Sequence, residues 1–74
     1  MTTEPTYEIM ISGVAGPAVR PMLAGLGEVT VEGEKTLLRC ADTDQAALHG
    51  VLGRLQDLGV DILAVRRIET TDAG

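Results

Sequence analysis

Aromatic side chains are almost missing from this chain: Tyr7 stands alone, with no tryptophan and no phenylalanine. A sheet that recognises RNA stacks bases on several exposed rings, so that mode of binding is excluded. Basic charge is scarce as well. Six Lys and Arg against eleven Asp and Glu leave a formal net charge of −5, which repels phosphate backbones. The two deficits together predict no nucleic-acid partner. Cys40 is the only cysteine, so a single chain can form neither an internal disulfide nor a multi-thiolate zinc or iron–sulfur site. No metal or cofactor is expected, and a reducing cytoplasm fits. No apolar run approaches the roughly 20 residues of a membrane span. The first residues also lack the basic start and apolar core of an export signal. The expectation is a soluble, cytoplasmic protein without a membrane partner.

With 74 residues the chain has room for one core. A domain of this size buries only about 60% of the surface its unfolded chain exposes. Disulfides and metals, which often supplement such small cores, are poorly supplied here, leaving a partner subunit as the remaining source of burial. Residues 1–74 read as a single domain with an ordered core of about residues 6–70, because no repeat, low-complexity tract or linker divides them and the polar ends carry no periodic pattern.

Tyr7-Glu8-Ile9-Met10-Ile11-Ser12 alternates at period two, placing Tyr7, Ile9 and Ile11 on one face of a strand. Gly13 to Gly16 breaks it, and Pro17 suits a first helical position because its missing N–H would have no partner there. A short helix follows through Val19, Met22, Leu23 and Leu26. Pro21 inside it predicts either a kink or a late start. Glu28 to Glu32 alternates again, and the turn Glu32-Gly33-Glu34-Lys35 leads into Thr36 to Cys40 as a β-hairpin. Asp42, with Gln45 three residues on, has the form of a capping box before a second helix. That helix carries Leu48, Val51, Leu52, Leu55 and Leu58 at three- and four-residue steps and stops at Gly59. Asp61 to Ile68 is a last strand, apolar on both faces in its first half. Two β-α-β halves joined by a hairpin, with right-handed crossovers, predict an α+β, ferredoxin-like βαββαβ sandwich: a four-stranded antiparallel sheet with two helices on one face and the other face open.

Several residues are candidates for function. The Gly13–Gly16 loop leads to a helix with Arg20 one turn on, an arrangement that can hold a small acidic ligand through backbone N–H groups; an ordinary strand-to-helix turn is the plainer reading. His49 lies at the rim of the second helix, where an imidazole could serve proton transfer or metal binding, but neither Cys40 nor Asp44 stands at a ligand spacing from it. Ala46, Gly50 and Gly53 form a stripe of small residues off the leucine face. Interior helical glycine costs roughly 0.8–1 kcal/mol relative to alanine, so close approach of another helix or a ligand would explain the pair. Met10 and Leu37 fall on the open side of the sheet and suggest a subunit contact. Arg66 and Arg67 point to opposite faces, and one can pair with Glu8 across strands.

The stretch Asp44-Gln45-Ala46-Ala47-Leu48-His49-Gly50-Val51-Leu52, followed by Leu55-Gln56-Asp57-Leu58-Gly59 and a closing strand, resembles a group of short, uncharacterised bacterial proteins. That resemblance implies a ferredoxin-like fold and transfers no catalytic residue. The overall layout is similar to ACT domains, which bind amino acids or other small molecules near the first loop and helix, usually at dimer interfaces. Acylphosphatases share the outline, but their glutamine-glycine loop core is missing and the chain contains no asparagine to orient a water. The leading expectation is a non-enzymatic, ACT-like homodimer that binds a small molecule or serves as an accessory or regulatory subunit. Two alternatives are a cofactor-independent enzyme of the dimeric α+β barrel kind, with a cavity lined by His49, Tyr7 or an arginine, and a structural module binding a larger protein partner.

Overall fold

The computed structural model describes residues 5–68. They form β1 (Thr6–Ser12), α1 (Arg20–Ala24), β2 (Glu28–Glu32), β3 (Lys35–Cys40), α2 (Gln45–Asp57) and β4 (Ile62–Ile68). The four strands make one antiparallel sheet in the order β2-β3-β1-β4, a small α+β architecture compatible with a ferredoxin-like layout.

Alternation decides which side of the sheet is covered. Ile9 pairs with Leu38, Tyr7 with Cys40 and Ile11 with Thr36, so these six residues share a face. Ile9, Ile11, Leu38 and Cys40 join Leu23 of α1 and Leu48 and Leu55 of α2 in one buried cluster. Both helices therefore pack on the same side of the sheet. Ile9, Leu23, Leu38 and Leu55 are wholly removed from solvent. Each such side chain contributes roughly 1.5–3 kcal/mol of transfer free energy, an upper estimate for a chain whose unfolded state is already partly compact. Thr36 is the buried polar member of this face: its hydroxyl donates to the Gly13 carbonyl at 2.8 Å and accepts from the Ala15 N–H at 2.9 Å, tying the β1–α1 loop to β3.

Of the local expectations, the late start of the first helix is met, while Pro17 as its first residue and Asp42 as the cap of the second are corrected. The first helix starts late: residues 17–19 form a turn, and helical geometry begins at Arg20, which places Pro21 within the first two helical positions, where its missing N–H costs nothing. The second helix is capped by Asp44 and not by Asp42. The Asp44 carboxylate accepts from the Ala47 N–H at 2.7 Å, whereas Asp42 sits at a φ of 51°, on a turn that precedes the helix. Thr43 separates the two, buried and bonded from its N–H to the Pro5 carbonyl. The hairpin between Glu32 and Lys35 follows expectation, with Gly33 at positive φ as the first of two turn residues. The register of β4 against β1 shifts between Met10 and Ile11, leaving Leu63 as an extra residue between Ile62 and Ala64.

Gly27 has a role that no pattern announces. A Cβ there would overlap the Arg39 carbonyl and press on the Cys40 sulfur, so entry into β2 tolerates only glycine. Gly50, on α2, faces open space. Replacing each with alanine should therefore act in opposite directions. Gly27→Ala is expected to cost about 1–3 kcal/mol through overpacking. Gly50→Ala should gain about 0.5–1 kcal/mol from helix propensity alone. The midpoints of urea unfolding curves measure both.

Candidate functional site

The face of the sheet turned away from the helices carries Glu8 and Met10 of β1, Leu37 and Arg39 of β3, Glu28 and Thr30 of β2, and Ala64 and Arg66 of β4. The register sorts them into two rows perpendicular to the strands. One row runs Glu28, Arg39, Glu8, Arg66, with charge alternating on all four strands. The next runs Thr30, Leu37, Met10, Ala64 and is mostly apolar.

Glu8 is the centre of the charged row. One carboxylate oxygen accepts from Arg39 at 3.3 Å and the other from Arg66 at 3.1 Å. Its side chain is only 11% exposed although no helix covers it, because the two arginines lie over it from the neighbouring strands; they themselves remain 52% and 75% exposed. That one of Arg66 and Arg67 can pair with Glu8 was legible in the alternation of the strands; the register of β4 against β1 selects Arg66. The larger arrangement with Arg39 was missed, since it needs the β1–β3 register, which only the assembled sheet supplies.

The residues singled out in the sequence separate into three places. Met10 and Leu37 lie directly opposite one another and half-buried in the apolar row. Gly13, at a φ of 83°, and Gly16 border a cavity of about 130 Å³ whose walls include Ile11, Val19, Leu23 and Val60. Neither Arg20 nor His49 lines it. Arg20 is exposed at the start of a five-residue helix, and His49 is exposed on α2. Ala46 and Gly50 are exposed and Gly53 is half-buried, with nothing within 4 Å of a Cβ at either glycine. These three lie on α2, and the helices pack on the covered side of the sheet, so the small-residue stripe does not join the open face. A second cavity, of about 200 Å³ between the helices, is lined by Met22, Leu26, Arg54, Asp57 and Leu58.

Among the described residues no three His, Cys, Asp or Glu side chains gather in a way that could hold a metal ion. No helix among them is long and apolar enough to cross a membrane. Cys40 is buried against Gly27. Burial pushes its thiol above the ordinary range, away from the nucleophilic thiolate.

The chain belongs to a family described as a domain of unknown function (DUF8691), which matches residues 6–66. No curated protein and no solved structure matches it.

Two measurements check this geometry. Arg39→Ala or Arg66→Ala alone leaves Glu8 one counter-charge and should cost less than about 1 kcal/mol, as exposed arginines do. The double substitution strands a nearly buried carboxylate and should cost about 1–3 kcal/mol, more than the two single changes added together, in a double-mutant cycle of unfolding free energies. Cys40 should resist alkylation in the native protein at mildly alkaline pH and react on addition of denaturant. Because its folded pKa is raised, the stability it contributes is complete below the ordinary thiol pKa and is lost as the pH rises through the raised one.

Proposed function

We propose that this chain is a non-enzymatic module of ferredoxin-like topology and ACT-like layout that works as a homodimer, serving as an accessory or regulatory subunit. One observation carries the reading: the uncovered side of the sheet is a built surface. A chain that merely left this face to water would spread lysine and glutamate over it, each free in solvent. Here a carboxylate is almost withdrawn from solvent between two arginines, and Leu37 and Met10 lie beside it. Such a face combines an apolar strip with an ordered polar strip, the composition of a recognition surface. The case for an assembly role over catalysis rests on the candidate groups themselves. Cys40 is buried, His49 stands exposed on α2, and neither cavity is lined by His49 or Tyr7.

A second reading has its own support. The cavity beside Gly13 and Gly16 lies where ACT-like proteins take small ligands, and its walls combine loop backbone with apolar side chains. At about 130 Å³ it is below the roughly 300–1,000 Å³ of sites for drug-sized molecules. A ligand held there would be very small, or would share the site with a second subunit.

Native mass spectrometry of the full chain tests both. Twice the chain mass is expected across a range of concentrations, and a monomer at every concentration would overturn the homodimer. Additional mass that survives gentle ionisation and is lost on collisional activation would support the small-ligand reading.

A further inference from the structure

We infer that two copies of this chain stack open face to open face about a two-fold axis parallel to the strands, with the charged row of each copy over the charged row of the other. This deepens the homodimer reading and rests on it. The inference comes from the order of the strands and the order of the charges taken together.

Such an axis, placed between β3 and β1, carries each strand onto its mirror position in the order β2-β3-β1-β4. β2 then lies over β4 of the second copy, and β3 over β1. Along the charged row, Glu28 faces Arg66 of the second copy, and Arg39 faces Glu8 of the second copy; each contact occurs twice. All four charges in the row meet an opposite charge. The apolar row behaves in the same way. Leu37 lies over Met10 of the second copy, and Thr30 over Ala64, so apolar groups meet apolar groups or a threonine.

The other two-fold parallel to the sheet gives none of this. An axis along the charged row puts Glu8 over Glu8 and Arg39 over Arg39, and an axis between the rows puts charges over Leu37 and Met10. Like charges brought together in an interface suppress association, so the charge order selects one docking axis. The row also rejects β2 edges as a symmetric contact, because antiparallel self-pairing about Thr30 would set Glu28 against Glu32. The β4 edge is unsuited as well: the extra residue at Leu63 and the adjacent Arg66 and Arg67 are devices that discourage strand addition.

Stacked sheets lie about 10 Å apart, a distance that Arg, Glu, Leu and Met side chains from two faces fill by interdigitation. The ion row supplies orientation more than affinity, since desolvation offsets much of the attraction in a buried pair. Affinity comes from Leu37 and Met10, which are half-buried in the single chain.

The test is a charge exchange read by sedimentation equilibrium and native mass spectrometry of the full chain. Glu28 is exposed and makes no ion pair among the described residues, so Glu28→Arg breaks no bond of the single chain; it does set a second arginine opposite Arg39, whose half-exposed side chain keeps that repulsion small. It places two arginines over each other at both ends of the interface and should weaken the dimer at least about tenfold. Arg66→Glu should weaken it similarly, with thermal unfolding checking that each variant folds. Mixing the two single variants should yield a heterodimer in preference to either homodimer, and Glu28→Arg with Arg66→Glu in one chain should restore the homodimer. Leu37→Glu, in the middle of the face, should abolish the dimer. If the protein is a dimer whose strength none of these changes alters, the stacking is wrong and the homodimer reading stands. If it is a monomer throughout, both fall. A ladder of trimers and higher species, lost in Glu28→Arg but kept in Leu37→Glu, would assign the same charges to an edge-to-edge contact of β4 with β2 and overturn the stack.

Discussion

The contact between Ile9 and Leu38, opposite one another across β1 and β3 and both fully buried, is the point around which the structure is organised. β1 and β3 are the two inner strands of the described sheet, each with a neighbour on both sides. α1 brings Leu23 and α2 brings Leu48 and Leu55 to the same cluster. Among the described residues there are two short helices, both on one side of the sheet, so the buried core lies on that side. Everything on the other side must be accounted for by something besides a core.

That constraint gives Glu8 its meaning. A carboxylate at the centre of an uncovered sheet would ordinarily be solvated and free. Here it is nearly withdrawn from water by two arginines that are themselves mostly exposed. Salt bridges with exposed partners add little to stability, so the arrangement is weak evidence about folding. Its effect is to order three long side chains on a face where disorder would be the cheaper state, and to lower the entropy that a docking partner would otherwise have to remove. The same face holds Met10 and Leu37, the residues whose alternation first pointed to a contact surface.

The strands, the hairpin and the second helix were legible because each depends on a pattern confined to a few neighbouring residues: period two in β1 and β2, leucines at three- and four-residue steps in α2, glycine at the ends. What escaped depends on residues far apart in the chain. The start of α1 was open because Pro21 is compatible with a kink or with an N-terminal position, and propensity does not choose between them. Asp42 and Asp44 are chemically equal as caps; the left-handed turn at Asp42 and the burial of Thr43 decide in favour of Asp44. Gly27 is required by a carbonyl on β3, and Arg39 reaches Glu8 only because hairpin and crossover set the β1–β3 register. Of the candidate site residues, those on the sheet were brought together and those on the helices were not, since strand pairing correlates distant residues in a way that a rim position on one helix cannot.

Charge order is therefore the most specific information the open face contains. An apolar patch alone accepts many partners in many orientations, because hydrophobic burial has no direction. Four charges alternating across four strands do have a direction: the row is acidic at the β2 edge and basic at the β4 edge. A surface with that polarity is complementary to itself after a half-turn about the strand direction and clashes with itself after a half-turn about the row. Two-fold association needs only one such self-complementary surface, and a single chain supplies it in full. The same polarity would separate a second copy from other negatively charged proteins, which would meet Glu28 and Glu8 as well as the arginines. In a chain with a formal net charge of −5, this row is where equal numbers of opposite charges are set in order, and order is what distinguishes a partner from a crowd.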